Sequence, residues 1–287
     1  MEKDEAVSTV IALMLVLGIL ATVIAIYSAT YLPGLKQQSE IEHSHEVADA
    51  FVRFGSDIDY VVSHKTTARF SEPFSLGGGE VLLSPVRSSG TVTIEEKNMV
   101  KVTVSNQTQT RSATASIVNI SYVPSFTTWE PQGYRWEYGF VEVTKDERAV
   151  PQSSRYHTRA DALEDSDKFL GSFIDVIDSN NGIEITLVNL VPENGSSCIT
   201  GSGIATLGLN ATADSKGVSL TKVTKIVFED LTSDSMMTEH LDYICNDIRS
   251  RIPGATYDPD THTLEFDPAV NPVSVTLRAV NGEVSVC

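Results

Sequence analysis

The chain opens on a polar cluster, Met1-Glu2-Lys3-Asp4-Glu5, and then carries no charged residue from Ala6 to Leu35. That run reads AVSTVIALMLVLGILATVIAIYSATYLPGL. About 20 apolar residues suffice to cross a bilayer core as a helix, and a helix satisfies its backbone polar groups within its own segment. Tyr27 and Tyr31 fall near the outer end, where amphipathic rings favour the interface. A buried core helix is the rival reading, and the length of the run and the charges at both ends count against it. A secretory signal peptide has a basic start, an apolar core of about 7–15 residues and then a cleavage site. This run is longer and its start is net acidic.

After Pro33-Gly34 the pattern changes. Val47, Phe51, Phe54, Ile58 and Val61 step by four, three, four and three, which predicts one apolar stripe on a helix running to about Ser63. Pro33 predicts a kink between an apolar half and this amphipathic half. At about 1.5 Å per residue the pair would reach about 85 Å. From about Ser71 the period becomes two. Val92 and Ile94, then Val100, Val102 and Val104, predict two strands of a hairpin with Glu96-Lys97-Asn98 as the turn. Val118, Ile120 and Tyr122 predict another strand face, and Tyr134, Trp136, Tyr138 and Phe140 a fourth. Further strand candidates are 183–190, 205–209, 225–228, 264–266, 273–277 and 283–286. One helix interrupts them: Met237, Leu241, Ile244, Ile248 and Ile252 share a face, and Pro253-Gly254 ends it.

The expected fold class is therefore α+β. A leader and transmembrane helix (1–34) leads into an amphipathic stalk (35–65), followed by a mainly antiparallel, sandwich-like β ectodomain with one further helix near 236–252. Val150-Pro151-Gln152-Ser153-Ser154 is polar and turn-rich and divides the ectodomain into a first part (66–150) and a second part (151–287).

Composition narrows the function classes. Hydrophobic residues at 41% and charged residues at 21% of 287 indicate a folded chain rather than a disordered one. The net charge of −17 argues against nucleic acid as a partner, because a phosphate backbone selects a basic surface. Residues 1–65 carry four Lys/Arg against nine Asp/Glu and the remainder 17 against 29, so no separate acidic or basic tail exists. Cys198, Cys245 and Cys287 form no C-x-x-C pair. Cys245 falls on the apolar face of its helix as a buried thiol would. Cys198 in a Gly/Ser-rich loop and Cys287 at the chain end are the expected disulfide pair outside a cell.

Four N-x-[ST] sequons occur at Asn106, Asn119, Asn194 and Asn210. All lie C-terminal to the apolar run. Asn119 and Asn210 are out of phase with their apolar neighbours, Asn194 sits in a Pro-Glu-Asn-Gly turn, and Asn106 closes a strand. Each is placed to face solvent, where a glycan must be. The aromatic stripe, with Trp129 nearby, is expected to pack in the core rather than bind glycans or a neighbouring subunit. His43 and His45 are two apart on the stalk helix and point in different directions, which disfavours a shared metal. Asp258-Pro259-Asp260-Thr261-His262 lacks the Gly and distal Glu of an EF-hand and reads as a turn. Gly77-Gly78-Gly79 lacks the Lys-Ser/Thr of a P-loop, and Gly201-Ser202-Gly203 is not a nucleophile elbow. No cofactor, metal or catalytic constellation is expected.

Ala6-Val7-Ser8-Thr9-Val10-Ile11, leading from a short polar start into an unbroken apolar helix, resembles the N-terminus of archaeal type IV pilins. The segments Gly77-Gly78-Gly79-Glu80 and Ser84-Pro85-Val86-Arg87-Ser88-Ser89-Gly90 are similar, more loosely, to an uncharacterised archaeal pilin-like family. The first resemblance implies a leader peptidase that cuts at Ala6/Val7, before the apolar segment. It also implies a mature helix that leaves the lipid to pack against copies of itself or other pilin-like subunits. The location implied is a cell membrane with an extracellular C-terminal domain, or an extracellular filament. Two other readings stay open from the residues: a membrane-anchored extracellular binding or adhesion protein, and a cell-surface enzyme.

Overall fold

The computed structural model describes residues 2–78, 87–137, 140–145, 148–151, 173–179, 182–214, 216–232 and 235–287; side chains are described from Val10 onward, except at 140, 148–151, 235 and 236. It is α+β: one long N-terminal helix, a mostly β domain, and one further short helix.

The first helix, α1 (Glu2–Ile26), continues through a π turn (Tyr27–Tyr31) into α2 (Leu32–His64). Pro33 falls in the first turn of α2 and does not end the helix. Pro33 has no N–H to give, and its ring would crowd the preceding turn. The helix widens one turn earlier instead, where the Leu32 N–H bonds to the Tyr27 carbonyl. α2 ends on Lys65 in the left-handed region, φ 48°. All five members of the expected stripe, Val47, Phe51, Phe54, Ile58 and Val61, are buried. Fully burying side chains of this size stabilises by about 1.5–3 kcal/mol each.

The strands are β1 (Ala68–Ser75), β2 (Ser89–Asn106), β3 (Thr110–Ser125), β4 (Gly133–Glu137), β5 (Phe140–Lys145), β6 (Arg148–Pro151), β7 (Ile174–Ser179), β8 (Gly182–Pro192), β9 (Cys198–Gly201), β10 (Ile204–Ala213), β11 (Val218–Leu220), β12 (Val223–Asp230), β13 (Thr256–Asp258), β14 (Thr263–Glu265) and β15 (Ser274–Val286). They join into one fifteen-stranded sheet, in which the longest path runs β1-β10-β15-β8-β3-β2-β12-β14-β13. The two parts, 66–150 and 151–287, read from the sequence interleave in it. β1 pairs with β10 and β2 with β12, so the chain on either side of Pro151 builds one sheet. Pairing is mostly antiparallel, but β15 and β8 run parallel from Ser274↔Gly182 to Val284↔Pro192.

Three local readings are corrected. Glu96-Lys97-Asn98 is not a turn: β2 runs straight through it, with a bulge between Asn98 and Val100. The hairpin turns instead after Asn106, whose N–H bonds to the Gln109 carbonyl at 2.9 Å. Tyr134 and Phe140 do not share a strand, because Glu137 pairs with Phe140 across the β4–β5 hairpin. Residues 273–277 and 283–286 belong to one strand, β15.

The second helix of the domain, α3 (Ser235–Arg251), packs on β12, β13 and β14, with Met237, Leu241, Ile244, Cys245 and Ile248 buried. α2 packs on β1, β4, β5 and β10. Beneath it lies an aromatic layer. Phe51 meets Phe74 edge-on at 6.2 Å and Tyr134 at 6.4 Å, and Phe74 meets Tyr122 at 6.3 Å. Tyr134 and Trp136 of the expected stripe are buried in this layer, and Tyr138 lies outside the described residues.

Candidate functional site

The face of α2 that carries Val47 and Phe51 continues toward the N-terminus as Glu40, His43 and Ser44, at the spacing of one helix face. All three are buried polar groups, and each meets a partner on the β domain. Glu40 accepts five hydrogen bonds from one loop. Its Oε1 takes the Thr127 N–H (2.7 Å) and Oγ1 (2.9 Å). Its Oε2 takes the Thr128 N–H (3.0 Å), the Thr128 Oγ1 (2.6 Å) and the Trp129 N–H (2.8 Å). Burial acts to raise the Glu40 pKa, but the Thr128 and Thr127 hydrogen bonds outweigh it and hold the carboxyl below its ordinary value.

Three residues on, His43 Nε2 lies 2.9 Å from the Tyr122 hydroxyl, and that hydroxyl donates to the Leu76 carbonyl at 3.0 Å. Tyr122 has a single proton, so His43 must be the donor in the first bond, which fixes the Nε2–H tautomer. Its Nδ1 has no hydrogen-bond partner among the described residues. Burial lowers the His43 pKa, against the pull of Glu46, the Leu76 backbone and Glu40. Ser44 Oγ pairs with the Tyr134 hydroxyl at 2.9 Å. Gly78 closes this ring. A Cβ there would stand 2.7 Å from the His43 Cβ, so the loop can approach the helix only as glycine. Gly79 lies outside the described residues.

These contacts form a polar collar where the helix leaves the domain. Beyond it the helix is bare. Large apolar side chains from Val10 to Ile26 are 52–68% exposed. This is a helix long and apolar enough to cross a membrane. Its polar side chains are satisfied internally: Thr22 and Thr30 donate to the Gly18 and Ile26 carbonyls at 2.8 and 2.6 Å, and Ser28 to that of Ile24. Such i−4 bonding is what a hydroxyl needs in hydrocarbon. The rings of Tyr27 and Tyr31 lie 5.6 Å apart. The expected leader site, Ala6/Val7, falls within α1.

The four sequons sit on the domain's strands and turns. Asn194 is exposed beside Gly195 (φ +82°) in the turn after β8. Asn106 is half-buried in the β2–β3 turn. Its Oδ1 accepts from the Thr108 and Gln109 N–H groups at 2.9 and 2.7 Å, and its Nδ2 donates to the Thr221 carbonyl at 3.2 Å. Asn119 and Asn210 are half-buried in β3 and β10, each flanked by buried residues of the opposite face.

All three cysteines are free. The expected Cys198–Cys287 bond is not formed: Cys198 pairs across β9 with Thr93, while the Cys287 thiol faces the Thr206 carbonyl at 4.0 Å. Both are exposed. Cys245 is buried, and desolvation pushes its thiol pKa up to about 12, which leaves it an unreactive thiol. Near it the Tyr257 hydroxyl donates to Asp242, and His262 Nε2 lies 3.5 Å from the same carboxylate.

Asp258 folds its own loop, accepting from the Asp260 N–H and the Thr261 hydroxyl. His45 and Glu46 are exposed; His45, two residues on, points away from His43, while Glu46, three residues on, lies near enough to act on the His43 pKa. Among the described residues no group of three His, Cys, Asp or Glu side chains is placed to hold a metal ion. Sequence reasoning missed Glu40, His43 and Ser44 as a unit. The available signal was polar residues continuing the apolar stripe in register. No family model, curated protein or solved structure matches the chain.

Proposed function

We propose that the chain is a pilin-like subunit of an archaeal cell-surface filament or related assembly, held in the membrane by α1 before it polymerises through that helix. One observation carries the reading. A single continuous helix is bare and apolar over Val10–Ile26 and clamped into a β domain from Glu40 to Val61. A helix that only anchored the domain would need apolarity alone. One that packs against copies also needs a face permitting close approach, since lipid tails and neighbouring helices are equally apolar. Ser8, Ala12, Gly18, Ala21 and Ala25 supply small residues along α1, and a Cβ at Gly18 would meet nothing within 4 Å in the single chain. On this reading the leader is removed at Ala6/Val7, the sequons face the exterior and the partners are membrane lipid and other pilin-like subunits.

A second reading, a monomeric membrane-anchored binding or adhesion protein, draws on a polar surface cleft of about 680 Å³ whose lining includes Asp178, Lys222, Arg251 and Asn271. Replacing Gly18 with Leu separates the two. Leu is at least as compatible with lipid as Gly, so insertion persists while self-association weakens. The measurement is fractionation of assembled material against membrane-bound monomer, with the intact mass of the mature protein. An uncut Met1 and a purely monomeric membrane pool in both proteins would overturn the filament reading in favour of the anchored monomer.

A further inference from the structure

We propose that the loop Phe126–Trp129 is a collar that rests on the membrane surface, with Trp129 seated among lipid headgroups. This rests on the reading of α1 as a membrane anchor.

The helix supplies the ruler. The charge-free run from Ala6 to Leu35 would span about 45 Å as a helix. A bilayer including its headgroup layers is about 40–45 Å thick. With Glu5 and Lys36 left outside, the run fills the bilayer and Leu35 reaches its outer margin.

The domain comes down to that level. Leu35, Lys36 and Ser39 are already half-buried, and Glu40 is fully buried. Glu40 lies about 7.5 Å beyond Leu35 along the axis, and its carboxylate holds the Trp129 N–H at 2.8 Å. Four further bonds from Thr127 and Thr128 pin the same loop, so its height is fixed to the helix rather than free to drift.

The residue types match the place. Phe126 packs edge-on against His43 at 6.1 Å and roots the loop. Trp129 stays half-exposed. The Trp129 backbone is thereby held about 7.5 Å above the Leu35 level, within about one side-chain length of the bilayer margin, and an indole, with an apolar body and an N–H donor, suits the interface where one end is dry and the other wet. Tyr27 and Tyr31 occupy deeper levels of the same side of the bilayer.

The chain has two tryptophans, and Trp136 is 3% exposed in the core, which makes the test selective. The full-length protein is placed in phosphatidylcholine nanodiscs carrying a nitroxide on the headgroup, and tryptophan emission is compared with that in unlabelled discs. The wild type should lose emission, and Trp129→Phe should lose none. An unshifted Trp136 emission maximum in the variant certifies its fold. Protein that co-migrates with the discs but is quenched no more than Trp129→Phe would overturn the collar and leave the anchor standing. Protein that does not co-migrate with the discs would overturn the anchor itself, and the collar with it.

Discussion

His43 Nε2 and the Tyr122 hydroxyl lie 2.9 Å apart at the point where the helix enters the sheet, and the tyrosine O–H donates a hydrogen bond to the Leu76 carbonyl. The bond works only while Tyr122 donates outward and His43 donates to it. Protonating His43 would place a second N–H on a buried nitrogen that has no acceptor among the described residues. Such a group costs more than an ordinary lost hydrogen bond.

The collar should therefore loosen in acid. The folded-state pKa of His43 is depressed below its ordinary 6.5, chiefly by burial. The unfolded chain then binds the proton first, and stability falls as pH drops below 6.5 through the folded value. The folded-state pKa of Glu40 is also depressed, below 4.5, because its hydrogen bonds outweigh its burial. Its contribution is present above 4.5 and is lost as pH falls through the folded value. Thermal melts of the detergent-solubilised protein should show a decline that begins near pH 6.5 and a second one below pH 4.5. His43→Gln should flatten the first and leave the second.

Replacing Glu40 by Gln keeps the shape of the side chain but puts an NH2 where the loop presents donors. Hydrogen bonds to a charged group contribute about 1.5–3 kcal/mol each. The geometry of this loop depends on several at once, so a loss of at least about 1.5 kcal/mol is expected in denaturant unfolding. The local signature is sharper. Amide exchange at Thr127, Thr128 and Trp129 should accelerate, while that at Val102 and Ile120 in the central strands should track only the global change. Unchanged exchange at the three loop amides would refute the clasp.

Periodicity made the apolar machinery legible. Val47 to Val61 and Met237 to Ile252 announced both helical faces because burial of branched and aromatic side chains repeats at 3.6 residues. The collar was not legible for the converse reason: Glu40, His43 and Ser44 look like solvated residues until the groups that satisfy them are placed. Those groups, the Thr127–Trp129 loop, Tyr122 in β3 and Tyr134 in β4, lie 79 to 90 positions away. Glu96-Lys97-Asn98 has turn composition yet sits in a bulged strand, since exposed edges and turns select the same polar residues. The parallel pairing of β8 with β15 left no local trace, because its partners are about 90 residues apart and each strand alternates alike in either direction.

Among the thiols, reactivity should follow burial. Cys198 and Cys287 are exposed and Cys245 is shielded, its thiolate disfavoured by desolvation and by the nearby Asp242. Alkylation of the native protein should label the first two and spare Cys245 until the chain unfolds. The Val286 N–H bonds to the Ser196 carbonyl at 2.7 Å, so the chain end lies beside the segment leading into Cys198. Under oxidation any intramolecular bond should join Cys198 to Cys287. Peptide mapping that links Cys245 instead would contradict the packing of α3.

Two glycines on α2 test how closely the helix is fitted to the sheet. Gly55 is buried over the ring of Trp136, and a Cβ there would stand 2.9 Å from Nε1 and 3.2 Å from Cδ1 of the indole. Trp136 cannot swing away, because it is itself 3% exposed between α2 and the sheet. Gly34 sits on the exposed part of the same helix, where a Cβ meets nothing within 4 Å. An added methyl helps a helix by about 1 kcal/mol through the entropy of the unfolded chain, wherever it fits. Overpacking a core costs about 1–3 kcal/mol. Gly34→Ala should therefore leave the melting temperature equal or higher. Gly55→Ala should lower it despite the same gain in propensity, with a shift in Trp136 near-ultraviolet circular dichroism. Equal and positive effects at both sites would mean that α2 does not seat on Trp136.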